Sequence, residues 1–230
     1  MTHPVVAVRA EPGCTATVEA GRAIGLAIIG HPLFEIHSLA WDPPPPGRID
    51  ALLLGSANAL LHGGPGLERF AAKPAYAVGE ATGAAAKAAG FTLAAVGRGE
   101  LQGVVDALDP PLRLLRLTGA EHVPLAVPPG IEIDTRIAYE SRPRPLPPSL
   151  AATLGAGALV MLHSAAAARH FAGECDRCEV PRGTVALAAL GPRIAAAAGE
   201  GWREVRAAAE PREAALLALA REMCQTRSGG

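Results

Sequence analysis

The strongest constraint on this fold is a degenerate internal repeat in which one strand–loop–helix cassette is spelled twice. The first copy reads Asp50-Ala-Leu-Leu-Leu-Gly-Ser-Ala-Asn-Ala-Leu, then Ala75-Tyr-Ala-Val-Gly-Glu-Ala-Thr-Gly, then Ala88-Ala-Gly-Phe. The second reads Gly157-Ala-Leu-Val-Met-Leu-His-Ser-Ala-Ala-Ala, then Leu187-Ala-Ala-Leu-Gly-Pro-Arg-Ile-Ala, then Gly199-Glu-Gly-Trp. Ser56 to Ser164, Gly79 to Gly191 and Gly90 to Gly201 are offset by 108, 112 and 111 residues. Three landmarks in one order at nearly one offset imply two related α/β halves, since solenoid repeats run only roughly 20–50 residues. Two such halves are expected to form a cleft, where small molecules bind.

Two proline-rich segments set the expected boundaries. Trp41-Asp-Pro-Pro-Pro-Pro-Gly and Ser141-Arg-Pro-Arg-Pro-Leu-Pro-Pro-Ser suit neither helix interiors nor central strands, because each proline lacks an N–H. The first 40 residues are too short for a core of their own. The expected organisation is therefore a discontinuous α/β domain of residues 1–40 plus 141–230, interrupted by a second α/β domain of residues 41–140. Within these, strands alternate with helices, which implies mostly parallel sheets covered on both faces. Helices are expected over Thr15–Ile24, Ala57–Leu61, Ala81–Ala89, Leu101–Leu108, Ala165–Phe171, Ile194–Ala198 and Arg212–Cys224, with a weaker one over His122–Val127. Half the residues are hydrophobic but only 3% aromatic, so Ala, Val and Leu must build the cores.

Composition also excludes function classes. A formal net charge of −1 is not a nucleic-acid footprint. No stretch reaches the roughly 18 apolar residues of a membrane span, and Met1-Thr-His-Pro is no signal peptide. The expectation is a cytoplasmic protein that binds neither nucleic acid nor membrane, with four reduced thiols. Cys175 and Cys178 form a C-x-x-C, but no second ligand pair accompanies them and Gly173-Glu and Asp-Arg read as a loop, so neither redox nor metal chemistry is expected. Walker, G-x-S-x-G, H-E-x-x-H and dinucleotide-binding motifs are missing.

In α/β sheets, functional residues gather where strands end and helices begin. The corners are Gly55-Ser56-Ala57-Asn58, Gly79-Glu80-Ala81-Thr82, Thr118-Gly119-Ala120-Glu121, His163-Ser164 and Gly191-Pro192-Arg193. Each sets small residues and free N–H groups at a positive helix end, suited to carboxylates. Ser56, Thr82 and Ser164 can equally cap their own helices. His163 and Ser164 are neighbours on a strand end and point opposite ways, against a direct nucleophile–base pair. Arg9, after the first strand, reads as an anion ligand or a loop brace, with Arg116 and Arg193 as further anion-facing candidates. Tyr139, one of two tyrosines, reads as a proton donor or a packed amphipathic ring.

Taken together, the corners resemble the uroporphyrinogen-III synthase family over nearly the whole chain. The resemblance rests on Val8-Arg9-Ala10-Glu11-Pro12-Gly13, the segment from Asp50 to Leu60, Ala77–Thr82 with Ala89-Gly90-Phe91, Ile137–Glu140, Leu162–Ala165 and Leu190–Pro192. It implies two flavodoxin-like domains with parallel sheets, joined by a two-stranded ladder around a cleft. It also implies cofactor-free closure of hydroxymethylbilane to uroporphyrinogen III, with the last pyrrole inverted through a spiro intermediate. The implied catalytic residue is Tyr139, assisting loss of the hydroxyl. The implied substrate-binding set is Arg9, Ser56, Ala57, Gly79, Thr82, Gly119, Ser164 and Gly191. Hydroxymethylbilane synthase is the expected source of substrate, and the enzyme is expected to act as a monomer without metal.

The chain departs from the family pattern at several corners. Gly55 replaces Thr or Ser, His163 replaces Thr or Phe, Arg193 replaces a hydroxyl residue, and Glu210-Pro-Arg-Glu replaces Ser/Thr-Pro-Thr. These departures leave open a non-catalytic binder of a tetrapyrrole or another small anion. An unrelated fold with duplicated flavodoxin-like halves is also open, since fold does not fix function.

Overall fold

A computed structural model describes residues 3–225; Met1, Thr2 and residues 226–230 lie outside it. Along the chain come β1 (Val5–Ala7), α1 (Gly13–Ala23), β2 (Ile28–Gly30) and β3 (Phe34–Ser38). Next are β4 (Ala51–Leu54), α2 (Asn58–His62), α3 (Gly64–Glu68), β5 (Ala75–Val78), α4 (Glu80–Ala88), β6 (Leu93–Gly97) and α5 (Leu101–Asp106). β7 (Leu112–Gly119), β8 (Ile131–Pro143), α6 (Pro148–Gly155), β9 (Ala158–Leu162) and α7 (Ala165–Arg177) follow. The last elements are β10 (Val185–Ala189), α8 (Pro192–Ala197), β11 (Glu204–Ala207) and α9 (Glu213–Gln225).

The chain divides into two compact units, one of residues 1–35 and 142–230, the other of residues 36–141. It passes between them twice, once within β3 and once within β8.

Unit 1 carries a five-stranded sheet in the order β11-β10-β9-β1-β2, parallel throughout. Side chains alternate across it, as strand geometry requires. Val5, Ala7, Leu159 and Met161 pack with Leu216, Leu217 and Ala220 of α9 on one face. Val6, Val8, Val160 and Leu162 pack with Leu150, Leu154 and Phe171 on the other. Every residue of the central strand β9 is buried, which is why its sequence is a continuous apolar run with no alternation.

Unit 2 carries the order β3-β8-β7-β4-β5-β6. The five strands from β8 to β6 are parallel, and β3 lies at the edge beside β8. Leu52, Leu54, Phe70, Leu115 and Leu117 fill one face, and Leu53, Val104, Val105, Leu114 and Ile131 the other.

Three local expectations are corrected. His122–Val127 is an irregular segment and not a helix; Pro124 removes an N–H in its middle, and Pro128 and Pro129 close it off. Conversely, α7 runs on through Gly173-Glu-Cys-Asp-Arg, so the C-x-x-C lies at a helix end and not in a loop. There Cys175 packs inward, while Glu174 and Arg177 pair one turn apart at 2.6 Å. The second proline-rich segment is part strand and part helix, because β8 continues to Pro143 and Pro148 opens α6 at a position where proline's missing N–H costs nothing. Among the described residues, no helix is long and apolar enough to cross a membrane.

Candidate active site

The carboxyl edge of the unit 1 sheet holds a charged network. β1 and β9 are parallel neighbours with Val5 opposite Leu159 and Ala7 opposite Met161. Two residues further on, that register brings Arg9 beside His163, both on the face covered by α1 and α9. Glu213, the first residue of α9, reaches in from above. Its Oε1 accepts the Thr17 hydroxyl at 2.6 Å, its Oε2 lies 3.2 Å from Nη1 of Arg9, and the two oxygens lie 3.3 and 3.1 Å from Nε2 of His163. Burial alone pushes the Glu213 carboxyl up, but hydrogen bonds from His163 and Thr17 and the charges of His163 and Arg9 outweigh it, so the carboxyl sits below its ordinary range. His163 is only 6% exposed, and its Nδ1 is buried without a partner.

The other expected residues of unit 1 lie at the same edge. Ser164 turns to the opposite face from His163 and caps α7, its hydroxyl accepting the Ala167 N–H at 3.0 Å. Gly191 is the N-cap of α8, in extended backbone. Arg9 lies two residues past β1 and is about one-third exposed.

The carboxyl edge of unit 2 is built from small residues and rings. Ser56 and Ala57 follow β4, and the Ser56 hydroxyl accepts the Asn58 N–H at 3.2 Å. Gly79 follows β5 with φ 81°, a backbone that favours glycine, and is the N-cap of α4. Thr82 is buried within that helix. At the end of β7 the register slips between Thr118 and Gly119, so that Gly119 pairs with Tyr139. A Cβ on Gly119 would lie 2.6 Å from Cε2 of Tyr139. Glycine there lets the phenol ring lie against the strand, and the Ala120 N–H donates to the Tyr139 carbonyl at 2.9 Å. The His62 ring lies 6.0 Å from that of Tyr139, and its Nδ1 is 3.0 Å from the Ser38 hydroxyl. Burial and the charge of His37 hold the His62 imidazole below its usual value. Arg116 is buried, donating to the Val123 carbonyl at 2.9 Å, with Nε unpaired.

Sequence reasoning named Arg9 and His163 separately, quoted Gly13 within Val8–Gly13 and Glu213 within Glu210-Pro-Arg-Glu without giving either a role, and missed Thr17. The only local signal was an acid at the start of the last helix, where the dipole favours one. The arrangement in unit 1 offers a cation fixed by an internal carboxylate. That in unit 2 offers backbone N–H groups and a phenol.

A sequence model of the family described as uroporphyrinogen-III synthase HemD matches residues 16–218. The fold aligns with the crystal structure of uroporphyrinogen-III synthetase from Helicobacter pylori over 96% of this chain and 99% of that one, with a TM-score of 0.64 at 19% identity. A mutant uroporphyrinogen III synthase from Thermus thermophilus aligns over 97% and 100%, with a TM-score of 0.50 at 17% identity. No curated protein matches the chain. At such identities the structures speak for the fold, and the family match carries the assignment. The chain belongs to the uroporphyrinogen-III synthase family, lyases of porphyrin and haem biosynthesis.

Proposed function

We propose that this enzyme closes hydroxymethylbilane to uroporphyrinogen III without a cofactor, inverting ring D through a spiro intermediate. The observation that carries this reading is the family match over residues 16–218. In the proposed course, the hydroxyl of the hydroxymethyl group leaves as water, and its methylene carbon remains as the electrophilic end of an azafulvenium cation. The substituted carbon of ring D attacks that cation, and the resulting spiro intermediate fragments and recloses. The linear substrate also closes spontaneously to isomer I. The protein's task is therefore mainly one of orientation, holding the chain where the spiro geometry is reached first.

Tyr139 is proposed to donate the proton that turns the leaving hydroxyl into water. Its support is the packing against Gly119, which fixes the ring while leaving the residue only half-buried. Arg9 is proposed to hold a substrate carboxylate in unit 1. The N–H groups and small side chains at Ser56, Ala57, Gly79, Thr82, Gly119, Ser164 and Gly191 are proposed to receive the others. We further propose that both units are flavodoxin-like. In unit 1 the support is a strand order of 2-1-3-4-5 counted along the unit, the order of that fold, whose ligands bind beyond the carboxyl ends of the strands.

The deciding experiment generates hydroxymethylbilane in situ with hydroxymethylbilane synthase, adds this protein, oxidises the products and separates the uroporphyrin isomers. Predominantly isomer III is the expected result. Isomer I alone, formed at the spontaneous rate with folded protein present, would leave a tetrapyrrole binder and no synthase.

A further inference from the structure

The mechanism proposed above gives Glu213 no part, although the segments just past β1 and β9 and the helix α1 all send a side chain to it. The residue it serves is Arg9. The Arg9 guanidinium lies over Gly13, where an added Cβ would come within 2.4 Å of Nε and 2.8 Å of Nη2. Gly13 is the first residue of the eleven-residue α1, whose first turn contains no acid. Glu11 answers part of that positive end by accepting the Thr15 N–H at 2.9 Å. A cation is nonetheless disfavoured at a helix N-terminus, so something must hold it there. Glu213 does, through the 3.2 Å contact of its Oε2 with Nη1. Glu213 is itself fixed from two other sides, by the Thr17 hydroxyl and by the almost fully buried His163.

This bond engages Nη1, while Nε and Nη2 lie beside Gly13. The side chain is still 36% exposed, and a guanidinium held in place gives charge-assisted hydrogen bonds to a carboxylate. We infer that Glu213 is the positioning residue for Arg9, locking the guanidinium over Gly13 so that its exposed N–H groups are preformed for a substrate carboxylate. The identity of the substrate in this inference rests on the synthase reading; the Glu213–Arg9 relation does not.

A double-mutant cycle tests it. Glu213→Gln should raise KM for hydroxymethylbilane about tenfold, the equivalent of ~1.4 kcal/mol, with kcat unchanged. Arg9→Ala should do the same. Because Glu213 acts through Arg9, the double variant should be no worse than Arg9→Ala alone. Glu213→Asp, one methylene shorter with the charge kept, should recover part of the loss, and only when Arg9 is present. That dependence decides the matter even if Glu213→Gln does not fold. A residue that merely staples α9 to the sheet would, when replaced, lower the melting temperature and leave KM alone. An arm independent of turnover compares binding of uroporphyrin III and coproporphyrin III, whose acetates are replaced by methyls, by quenching of tryptophan fluorescence. The wild type should prefer uroporphyrin, and Glu213→Gln should narrow the preference. If the wild type makes only isomer I, the synthase reading falls while the porphyrin arm still decides on Glu213. If it makes isomer III and Glu213→Gln keeps the wild-type KM, the inference is overturned and the synthase reading stands.

Discussion

The two units draw one figure from differently ordered pieces. In unit 1, β9-α7-β10-α8-β11 runs outward from a central strand, and β1 and β2 complete the other side. In unit 2, β4, β5 and β6 run outward in the same way, and β7 and β8 take the places of β1 and β2. The supporting pair precedes the repeated half in unit 1 and follows it in unit 2. The repeat in the sequence therefore covers only the half whose order is shared. The corners differ more than the frames. Unit 1 ends its central strands in a network of Arg9, His163 and Glu213, whereas unit 2 ends its own in Gly119, Tyr139 and the start of α4. A duplicated scaffold fixes where ligands meet backbone, and the residues added at each corner decide what is done to them.

The largest effect should come from removing the Tyr139 phenol, which lies in unit 2. Tyr139→Phe keeps the ring against Gly119 and deletes the phenol. If the phenol is the proton donor, kcat should fall about 100-fold while KM and melting temperature stay close to those of the wild type. An unchanged kcat in the isomer assay would remove Tyr139 from the chemistry and leave unit 2 with binding alone.

Salt should separate the ion pairs of the two units next. In unit 1, Glu174 accepts from Arg177 and from the Leu146 N–H, and chiefly the Arg177 bond holds its carboxyl down to about 2 from an ordinary 4.5. In unit 2, Arg113 holds Asp50 likewise at about 2. A depressed carboxyl contributes stability that is complete above its ordinary value and is lost as pH falls through the depressed one. The Glu174 contribution should therefore fade below about pH 4.5 and that of Asp50 below about pH 3.8, and both should be nearly gone near pH 2. They differ in exposure, since the Glu174 side chain is 13% exposed and that of Asp50 37%. Salt screens the open pair, so 1 M salt should erase the effect of Asp50→Asn and spare that of Glu174→Gln, about 1–2 kcal/mol at pH 7. Equal salt sensitivity in denaturant melts would end this distinction.

How much of this was legible depended on distance along the chain. The strands β4 and β9 announce themselves as apolar runs bounded by Gly55-Ser56 and His163-Ser164, and α4 by Gly79 before it and Gly90 after it. These are local signals, and they placed the strand ends. The role of Glu213, quoted only as the end of Glu210-Pro-Arg-Glu, was invisible for the opposite reason. The residue is 204 residues from Arg9, 196 from Thr17 and 50 from His163, and only the pairing of β1 with β9 brings those partners together. The irregular segment after β7 was misread because its hydrophobic spacing resembles a helix, while Pro124 governs its backbone. The length of α7 was underestimated because Gly173 reads as a stop, whereas burial of Cys175 and the Glu174–Arg177 pair carry the helix past it.

The smallest difference tests the repeat at its own landmark. Ser56 and Ser164 occupy the same place in the two copies, and both hydroxyls accept a backbone N–H two or three residues ahead. Their consequences should not match. Ser164 caps a thirteen-residue helix that buries Ala167, Ala168, Phe171, Ala172 and Cys175 against the sheet, so losing the cap loosens a structure on which a core face depends. Ser56 stands before a five-residue helix that buries only Ala59, and little beyond that turn relies on it. Ser164→Ala should cost about 1 kcal/mol in denaturant melts and Ser56→Ala a few tenths. If Ser56 serves the substrate instead, Ser56→Ala should raise KM with stability almost untouched, while Ser164→Ala shows the reverse weighting. Equal stability losses would mean that the two serines repeat in role as well as in position, and the units would then be more alike at their corners than their charges suggest.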